Sequence, residues 1–577
     1  MKKMKNKFLK FSIAILLLAT GIWACKKSFL DTSPYGQYGD DQLLSAKGID
    51  AVLIGAYGML DGESQFKYGE NWFTPVTNWV YGDIASDDAY KGTDANDQPP
   101  MTTVETYNTI PSTQGLYARW ISIYDGIARA NDVIRIIKKT KEKAAGELSA
   151  ADESRLLGEA RFIRGFQHFE AIKMWNNIPV MSDTATANPG NPGGADAGWK
   201  FIEEDFNFAY ANLPATQSQA GRVHKWAAGA YLAKAYLFQK KYSQALALFN
   251  TIIASGVNVS GTKFGLQDAY WKNYDARFEN SQESVFSVQM AAQGSQEGDG
   301  NRGYGLAFPY GTFDAGCCGF LQPSQNLVNA HKTQNGLPLL GTFNLVDVKN
   351  DEGKASADAF TLGNETVDPR LDWSAGRRGV PFWDWGAHPG ANWIRDVGYA
   401  GPYSPKKHVY AAADINSFTA NGWKNMTAKN YNAMRYSDLL LMAAECEVEV
   451  GSLENARALV NQVRTRAANP ASKVAGSPAN YDVKNYTAAW TSKDVAREAV
   501  RFERRLELAM EGHRFFDLAR YGADYIKTTL NAYLEVEKNK RIYLKASPGF
   551  PDRHRFYPIP ERAIVLSKGT LKQNPGY

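Results

Sequence analysis

The sequence predicts a mainly all-α fold, a scaffold of tetratricopeptide-like helical hairpins with large loop-rich insertions and a few short strands. Three observations predict it. Apolar residues recur every three and four positions over long stretches, the period of one buried helix face. Two stretches set small and aromatic residues at the offsets of a helical hairpin repeat. Elsewhere, 66–112 and 290–425 lose the helical period and are rich in Gly, Asn, Asp, Trp and Tyr.

Taken in order, the chain opens on a leader, residues 1–24. Met1–Lys10 is basic, and Phe11–Thr20 is apolar but too short for a comfortable membrane span. Gly21-Ile22-Trp23-Ala24 then leads to Cys25. The segment resembles a bacterial lipobox, which implies that Cys25 is acylated and becomes the first residue of the mature body, 25–577. An ordinary signal peptide with a chance cysteine is the alternative.

Ile49–Leu60 reads as an apolar helix after Ser45. Ile123, Ile127, Ala130, Ile134 and Ile137 fall on one face of a long helix. Ser149 and Asp152 form a capping box for the next. Its buried face is Leu156, Ala160, Ile163, Phe166 and Phe169, and Asn176-Asn177 with Pro179 ends it. In Trp226–Ile253, Leu232, Ala233, Tyr236, Ala245 and Phe249 sit at hairpin-repeat offsets. The small residues let two helices approach, and the aromatics fill the gap. Glu283–Gln289 alternates like a short strand. Arg435–Ala468 is a second, looser hairpin, with Ala443, Ala444, Ala456 and Val463 in place. Thr491–Ala519 is expected to open on a capping box, Thr491 and Asp494, and to bury Val495, Ala499, Phe502, Leu506 and Ala509. The charged run Arg501–Arg520 is assigned to pairing between helical neighbours, not to catalysis. Two or three hairpins so far apart do not make a regular solenoid. They read as the scaffold for insertions, and large irregular insertions tend to carry function.

Composition narrows the function. Of 577 residues, 44% are hydrophobic and 22% charged, ordinary for a folded protein. The net charge of +5 belongs to the leader, which carries Lys2, Lys3, Lys5, Lys7 and Lys10. Without them, 60 basic residues face 60 acidic ones. A neutral body without a basic run argues against a nucleic-acid partner. Beyond Cys25 there are only Cys317, Cys318 and Cys446, so no disulfide framework is present. Cys446 is expected to be a buried thiol. Cys317-Cys318 stays open between a vicinal disulfide and two thiols. No later segment could span a membrane, so the body is expected to be anchored to one through its N-terminal lipid.

Enzyme signatures are missing: there is no Walker loop, no G-x-S-x-G and no H-E-x-x-H. Ser404-Pro405-Lys406-Lys407 matches S-x-x-K without its partner motifs and reads as a turn. A glycoside hydrolase needs only two suitably spaced carboxylates and remains the enzymatic alternative. The main reading is a non-enzyme that needs no cofactor. A third reading is an assembly protein that holds partners on its hairpins.

Six stretches carry a family resemblance. They are Ser28–Pro34; Gly158–Val180 (GEARFIRGFQHFEAIKMWNNIPV); Leu321–Ala330 (LQPSQNLVNA); Arg435–Glu447 with Asn461–Ala467; Arg505–Arg520 (RLELAMEGHRFFDLAR); and Phe556–Arg562 with Gln573–Tyr577. In this order they resemble the SusD/RagB family from Cys25 to Tyr577. The resemblance implies an α-helical fold on tetratricopeptide-like hairpins, with a loop-rich face that holds the ligand. It implies a lipid-anchored protein of the outer membrane, facing outward, that closes like a lid over a SusC-type, TonB-dependent transporter. It implies an oligosaccharide ligand, or in some members a peptide. Cys25 is followed by Lys26 and Lys27, where surface-exported lipoproteins of this kind often carry acids, so the leaflet stays open.

Sugars bind with their C–H faces on aromatic rings and their hydroxyls on Asn, Asp, Arg or Gln. With 30 Tyr, 28 Phe and 14 Trp the chain has rings to spare. Three loop clusters are candidates. The first is Trp72, Trp79 and Tyr81 beside Asn71, Asn78 and Asp83. The second is Tyr304, Tyr310 and Phe313 with Arg302 and Asn301. The third is Trp383, Trp385 and Trp393 with Asp384 and Asn392. The alternative for each ring is packing beneath a long loop. Asp83–Asp97 has the oxygens for Ca²⁺ but not the EF-hand spacing, and reads as a solvated polar loop with no metal.

Overall fold

The computed structural model describes residues 40–62, 72–185, 190–291, 302–311, 316–419 and 423–577. The leader, Cys25, Asn71, Asn301 and Phe313 lie outside them.

The expected helices form where the spacing puts them. α1 (Ala46–Tyr57) starts at Ser45, whose hydroxyl accepts from the Gly48 amide, and buries Ile49, Leu53 and Ala56. α2 (Leu116–Lys143) buries the expected isoleucine face. α3 (Ala150–Trp175) has the expected cap: the Ser149 hydroxyl accepts from the Asp152 amide at 3.1 Å and donates to its carboxylate at 2.7 Å. Asn176, at φ +56°, ends it. α4 (Gly194–Asn212) is a further helix that the periodicity reading omits. The first hairpin is α5 (Lys225–Phe238) and α6 (Tyr242–Ser255); Ala233, Ala245 and Phe249 are buried at its seam. The second is α7 (Tyr436–Val450) and α8 (Leu453–Ala468), with Ala443, Ala444, Ala456 and Val463 buried. From α2 to α6 each helix packs on the next, and α7 then packs on α6 and α8. Cys446 is buried in α7, as expected.

Short strands pin the irregular segments to this array. β1 (Ala89–Gly92), β2 (Ser284–Val288), β3 (Phe320–Pro323) and β4 (Tyr431–Arg435) form two antiparallel pairs, β1 with β3 and β2 with β4. β4 runs directly into α7.

The C-terminal helices depart from expectation. The Thr491–Asp494 box does not form. α9 (Lys493–Leu508) follows Ser492, whose side chain makes no cap bond, and Val495 is exposed. The run also breaks: α10 (Arg514–Tyr521) and α11 (Ala523–Glu537) follow a turn in which Met510 and Gly512 adopt φ +64° and +77°. The turn brings backbone against backbone. A Cβ on Gly512 would strike the Thr77 carbonyl, and one on Gly82 would strike the Gly512 carbonyl.

The charged run pairs across the fold, not mainly along its own helix. Glu507 accepts from Arg435 and Arg466 at 2.5 Å and from Arg370 at 3.0 Å. Glu503 holds Arg370 and Arg464, each at 2.7 Å. Glu511 holds Arg435 at 2.8 Å and Lys407 at 3.0 Å. Glu283 holds Arg435 and Arg466, and Asp368 holds Arg370. This connected set places five cations against five carboxylates, all buried. Nearby, Arg504 joins Asp438 to Asp517, and Arg520 joins Asp517 to Glu445.

Two predictions follow from the buried charges. Replacing Glu507 by Ala takes one carboxylate partner from each of three buried guanidinium groups and is expected to cost about 3–5 kcal/mol, read as a fall in the denaturant midpoint. Burial alone would raise Glu511, but Arg435 and Lys407 hold it at about 2, well below an unfolded carboxylate near 4. Its folded pKa is depressed, so its stabilisation is present above about pH 4 and lost as pH falls towards 2. Urea titrations of Glu511→Gln across that window are expected to show a shallower pH dependence than the native chain.

Candidate ligand-binding face

The first aromatic cluster divides. Asn78, Trp79, Tyr81 and Asp83 are interior, which corrects their expected place on a loop surface. Asn78 takes φ +53° and donates to Glu170 at 2.9 Å while accepting from Arg119 at 3.1 Å. One π-helical turn, Trp79–Ile84, then carries the rings inward. Trp79 is 1% exposed and meets Phe320 edge-on. Tyr81 packs on Tyr557 and Phe73. Both oxygens of Asp83 accept the Gly512 amide, at 2.9 and 3.0 Å, and burial pushes its carboxyl well above the usual range. The physical reason is the close approach at Gly82 and Gly512: it sinks the segment into the core, and only large apolar side chains fill the space around it.

Trp72 stays at the surface. It is half-buried and stands edge-on to Trp423 at 5.6 Å. Gly305 lies beneath both rings, and a Cβ there would meet them at 3.3 and 3.5 Å. Trp423 is absent from the sequence reading. Its only signal is a lone Trp beside Asn421 and Gly422 at the end of an irregular region.

The second cluster divides in the same way. Tyr304 is buried and stacks on His408 with 3.4 Å between ring centres and 5° between planes, which corrects its expected exposure. Burial raises the tyrosine pKa and lowers that of His408 to about 3, so the stack is neutral. Arg302 is half-buried at the start of the same segment. Tyr310 is 37% exposed. Its amide donates to the Trp393 carbonyl at 3.0 Å, and Arg395 lies over its ring at 5.5 Å. The sulfurs of Cys317 and Cys318 are juxtaposed just beyond, and the Asn425 amide ties the Cys317 carbonyl to that of Gly305.

In the third cluster, Trp393 is half-buried against Phe382 and His388. Trp385 donates its indole N–H to the Tyr410 carbonyl at 2.9 Å, and Tyr410 packs on Phe308 at 5.4 Å. Trp383 donates to the Lys406 carbonyl and bridges the group of Trp385 and Trp393 to Trp373 and Trp271. Asp384 and Asn392 are exposed. Three sets of contacts therefore bring together residues from regions far apart in sequence. Trp72 and Trp423 meet over Gly305, Phe308 reaches Trp385 through Tyr410, and Tyr310 reaches Trp393. Half-buried rings with exposed amide and carboxylate neighbours offer the apolar face and polar edge that a sugar ring needs.

The polar loop Asp83–Asp97 is not solvated throughout. Asp87 is buried with Arg514 at 2.7 Å and Arg505 at 3.2 Å, and Asp88 is buried with Arg505 at 2.8 Å. Further on, the Lys91 ammonium donates to the Asp94 and Asp97 carbonyls, each at 2.7 Å, and Arg395 holds both carboxylates. Internal cations thus pair with these oxygens. Among the described residues no group of three or more His, Cys, Asp or Glu could hold a metal.

A family model described as the SusD family matches residues 282–577. The chain belongs to the SusD family. A second model, described as starch-binding and associating with the outer membrane, matches residues 28–237. A SusD-like protein of Bacteroides ovatus is 25% identical over 535 residues, 90% of this chain and 83% of the relative. The SusD-like protein P2 of Formosa agariphila is 23% identical, covering 98% of this chain and 100% of the relative. Two solved structures share the fold. A SusD-like carbohydrate-binding protein from Bacteroides fragilis aligns at a TM-score of 0.67 and 19% identity, covering 92% of this chain and 99% of that one. Surface glycan-binding protein A of Bacteroides thetaiotaomicron, in complex with laminarihexaose, aligns at 0.62 and 19%, with the same coverage. The SusD-family resemblance and its helical fold are borne out.

In this SusD-family chain the Gly512 turn packs against Thr77, Gly82 and Asp83, in the segment that follows Trp72. Gly512→Ala combines a left-handed φ with a backbone clash, and is expected to cost more than about 1 kcal/mol. The check is a lowered melting temperature together with altered near-ultraviolet circular dichroism from the tryptophans.

Proposed function

We propose that the chain is a lipid-anchored outer-membrane protein that captures a glycan on its aromatic loop face and passes it to a SusC-type, TonB-dependent transporter. The observation that carries this reading is the set of incompletely buried rings in the loops of a SusD-family fold: Trp72 against Trp423, Tyr310 tied to the Trp393 backbone, and Trp385 beside Tyr410. Two structural neighbours point to the ligand class. One holds laminarihexaose, and another is described as a laminarin-binding SusD-like protein. The ligand proposed is therefore a neutral oligosaccharide.

Acylation at Cys25 would tether the body beside its transporter and make their encounter effectively intramolecular. Carboxylates near the rings are committed to structure: Asp384 accepts the Ala412 and Ala413 amides, and Asp94 and Asp97 hold Arg395. That supports capture over hydrolysis, which needs an acid and a base free to act on the bond.

The test is affinity electrophoresis of the full-length chain in detergent against laminarin, starch and a peptide mixture, with the bound glycan assayed for new reducing ends. Retardation by a glycan without cleavage is the expected result. Trp72→Ala and Trp423→Ala should each weaken it about tenfold or more, the loss of roughly 1.4 kcal/mol or greater that a ring anchor supplies. Binding of peptides alone, or release of new reducing ends, would sink the reading. Separately, Cys25→Ser is expected to abolish palmitate labelling and move the protein out of the membrane fraction.

A further inference from the structure

A cavity of about 330 Å³ opens between α9, α11 and the loop at 339–346, and it shares no lining residue with the aromatic face. Its volume falls within the range of small-molecule sites. One wall is apolar: Phe343 meets Phe502 edge-on at 5.4 Å, beside Leu340 and Val536. The other wall is cationic, with Arg501, Arg505 and Arg514 against two lining carboxylates, Asp87 and Glu498.

These arginines differ in their commitments. Arg505 is held by Asp87 and Asp88, and Arg514 by Asp87. Burial would raise Asp87, but the two arginines hold it at about 2, so it stays ionised. Arg501 is clamped instead between two rings, 4.1 Å from the centre of Tyr521 and 4.5 Å from that of Tyr525. Its Nε is buried without a hydrogen-bond partner. The hydroxyl of Tyr533, another lining residue and itself buried, also lacks a partner. Glu498 accepts from the Tyr525 hydroxyl at 3.3 Å.

Asp87 and Asp88 thus match Arg505 and Arg514, while Arg501 is left with an unpaired Nε and is already stripped of water on that inner edge. A clamped guanidinium has little rotamer freedom left to lose when a ligand binds. Its planar fork matches a carboxylate, which can take two parallel N–H bonds. The Phe343–Phe502 wall gives a flat apolar surface for the body of the same molecule.

We propose that this cavity is a second binding site, for a small ring compound bearing one carboxylate, with the carboxylate on Arg501 and the ring against Phe343 and Phe502. Leu345, 79% exposed, forms part of its rim.

The test is saturation-transfer NMR on the full-length chain in detergent with glucuronate and benzoate, and with glucose as the neutral control. At least one carboxylate should bind and glucose should not. Arg501→Met should weaken binding about tenfold or more, the loss of a charged hydrogen bond. Leu345→Trp, which adds a ring at an exposed rim and leaves the core alone, should weaken it comparably. Melting temperatures and laminarin retardation, followed on the same samples, should be unchanged in both variants. The proposal is overturned if neither carboxylate binds the native chain, or if either variant binds as the native chain does. Because laminarin is followed in parallel, failure of this site and failure of the aromatic-face reading are told apart.

Discussion

Arg435 sits at the junction of the whole molecule. It closes β4, begins the second hairpin, and reaches Glu283 on the neighbouring strand segment and both Glu507 and Glu511 on the C-terminal helix and its turn. A guanidinium buried this completely is costly unless every edge is met. Here its neighbours are themselves shared: Glu507 also serves Arg466 and Arg370, and Glu511 also serves Lys407. No member can move alone without stranding another. The fold is therefore specified at its centre by charge pairing, with the apolar helix seams packed around it.

The segment that supplies these carboxylates, α9 with the turn and helix after it, also fastens the loops. Arg505 and Arg514 hold Asp87 and Asp88, so the segment bearing Trp72 is bolted down at its far end. Glu503 and Glu507 hold Arg370, and Glu511 holds Lys407, which fix the region leading to Trp385 and Trp393. Long irregular segments ordinarily pay for order with entropy. Here buried ion pairs at their roots offset that cost and leave the ring-bearing tips in a set relation to one another. Preorganised rings are what a binding face needs if its contacts are to appear as affinity.

The sequence made the helical half legible and the loop half much less so. The isoleucine face of α2, the Ser149 cap and the small-residue seams of both hairpins express local period and local hydrogen bonding, which a single chain displays directly. The Thr491–Asp494 box did not form: the helix starts after Ser492, one residue later, with no side-chain cap. In the loops, Trp72 and Trp79 have the same composition around them, yet one is at the surface and the other in the core. What separates them is the Gly82–Gly512 approach, a contact between residues with no local signature. The Arg501–Arg520 run does form ion pairs, but its partners could not be named, because most of them lie dozens to hundreds of positions away.

The seam between the two ends of the chain sets the order of events during synthesis. Asp83 meets Gly512 across 429 positions, and the Tyr90 hydroxyl meets Glu537 across 447. These interactions cannot exist until the ribosome has made almost the entire polypeptide. Closure of so large a loop makes folding slow and late, because its entropy is lost before distant contacts repay it. A nascent N-terminal half can pack α2 to α6 on one another, but it leaves Asp83, Asp87 and Asp88 without their C-terminal partners. The segment around Asp83 is therefore fixed in place only once the last helices arrive to meet it.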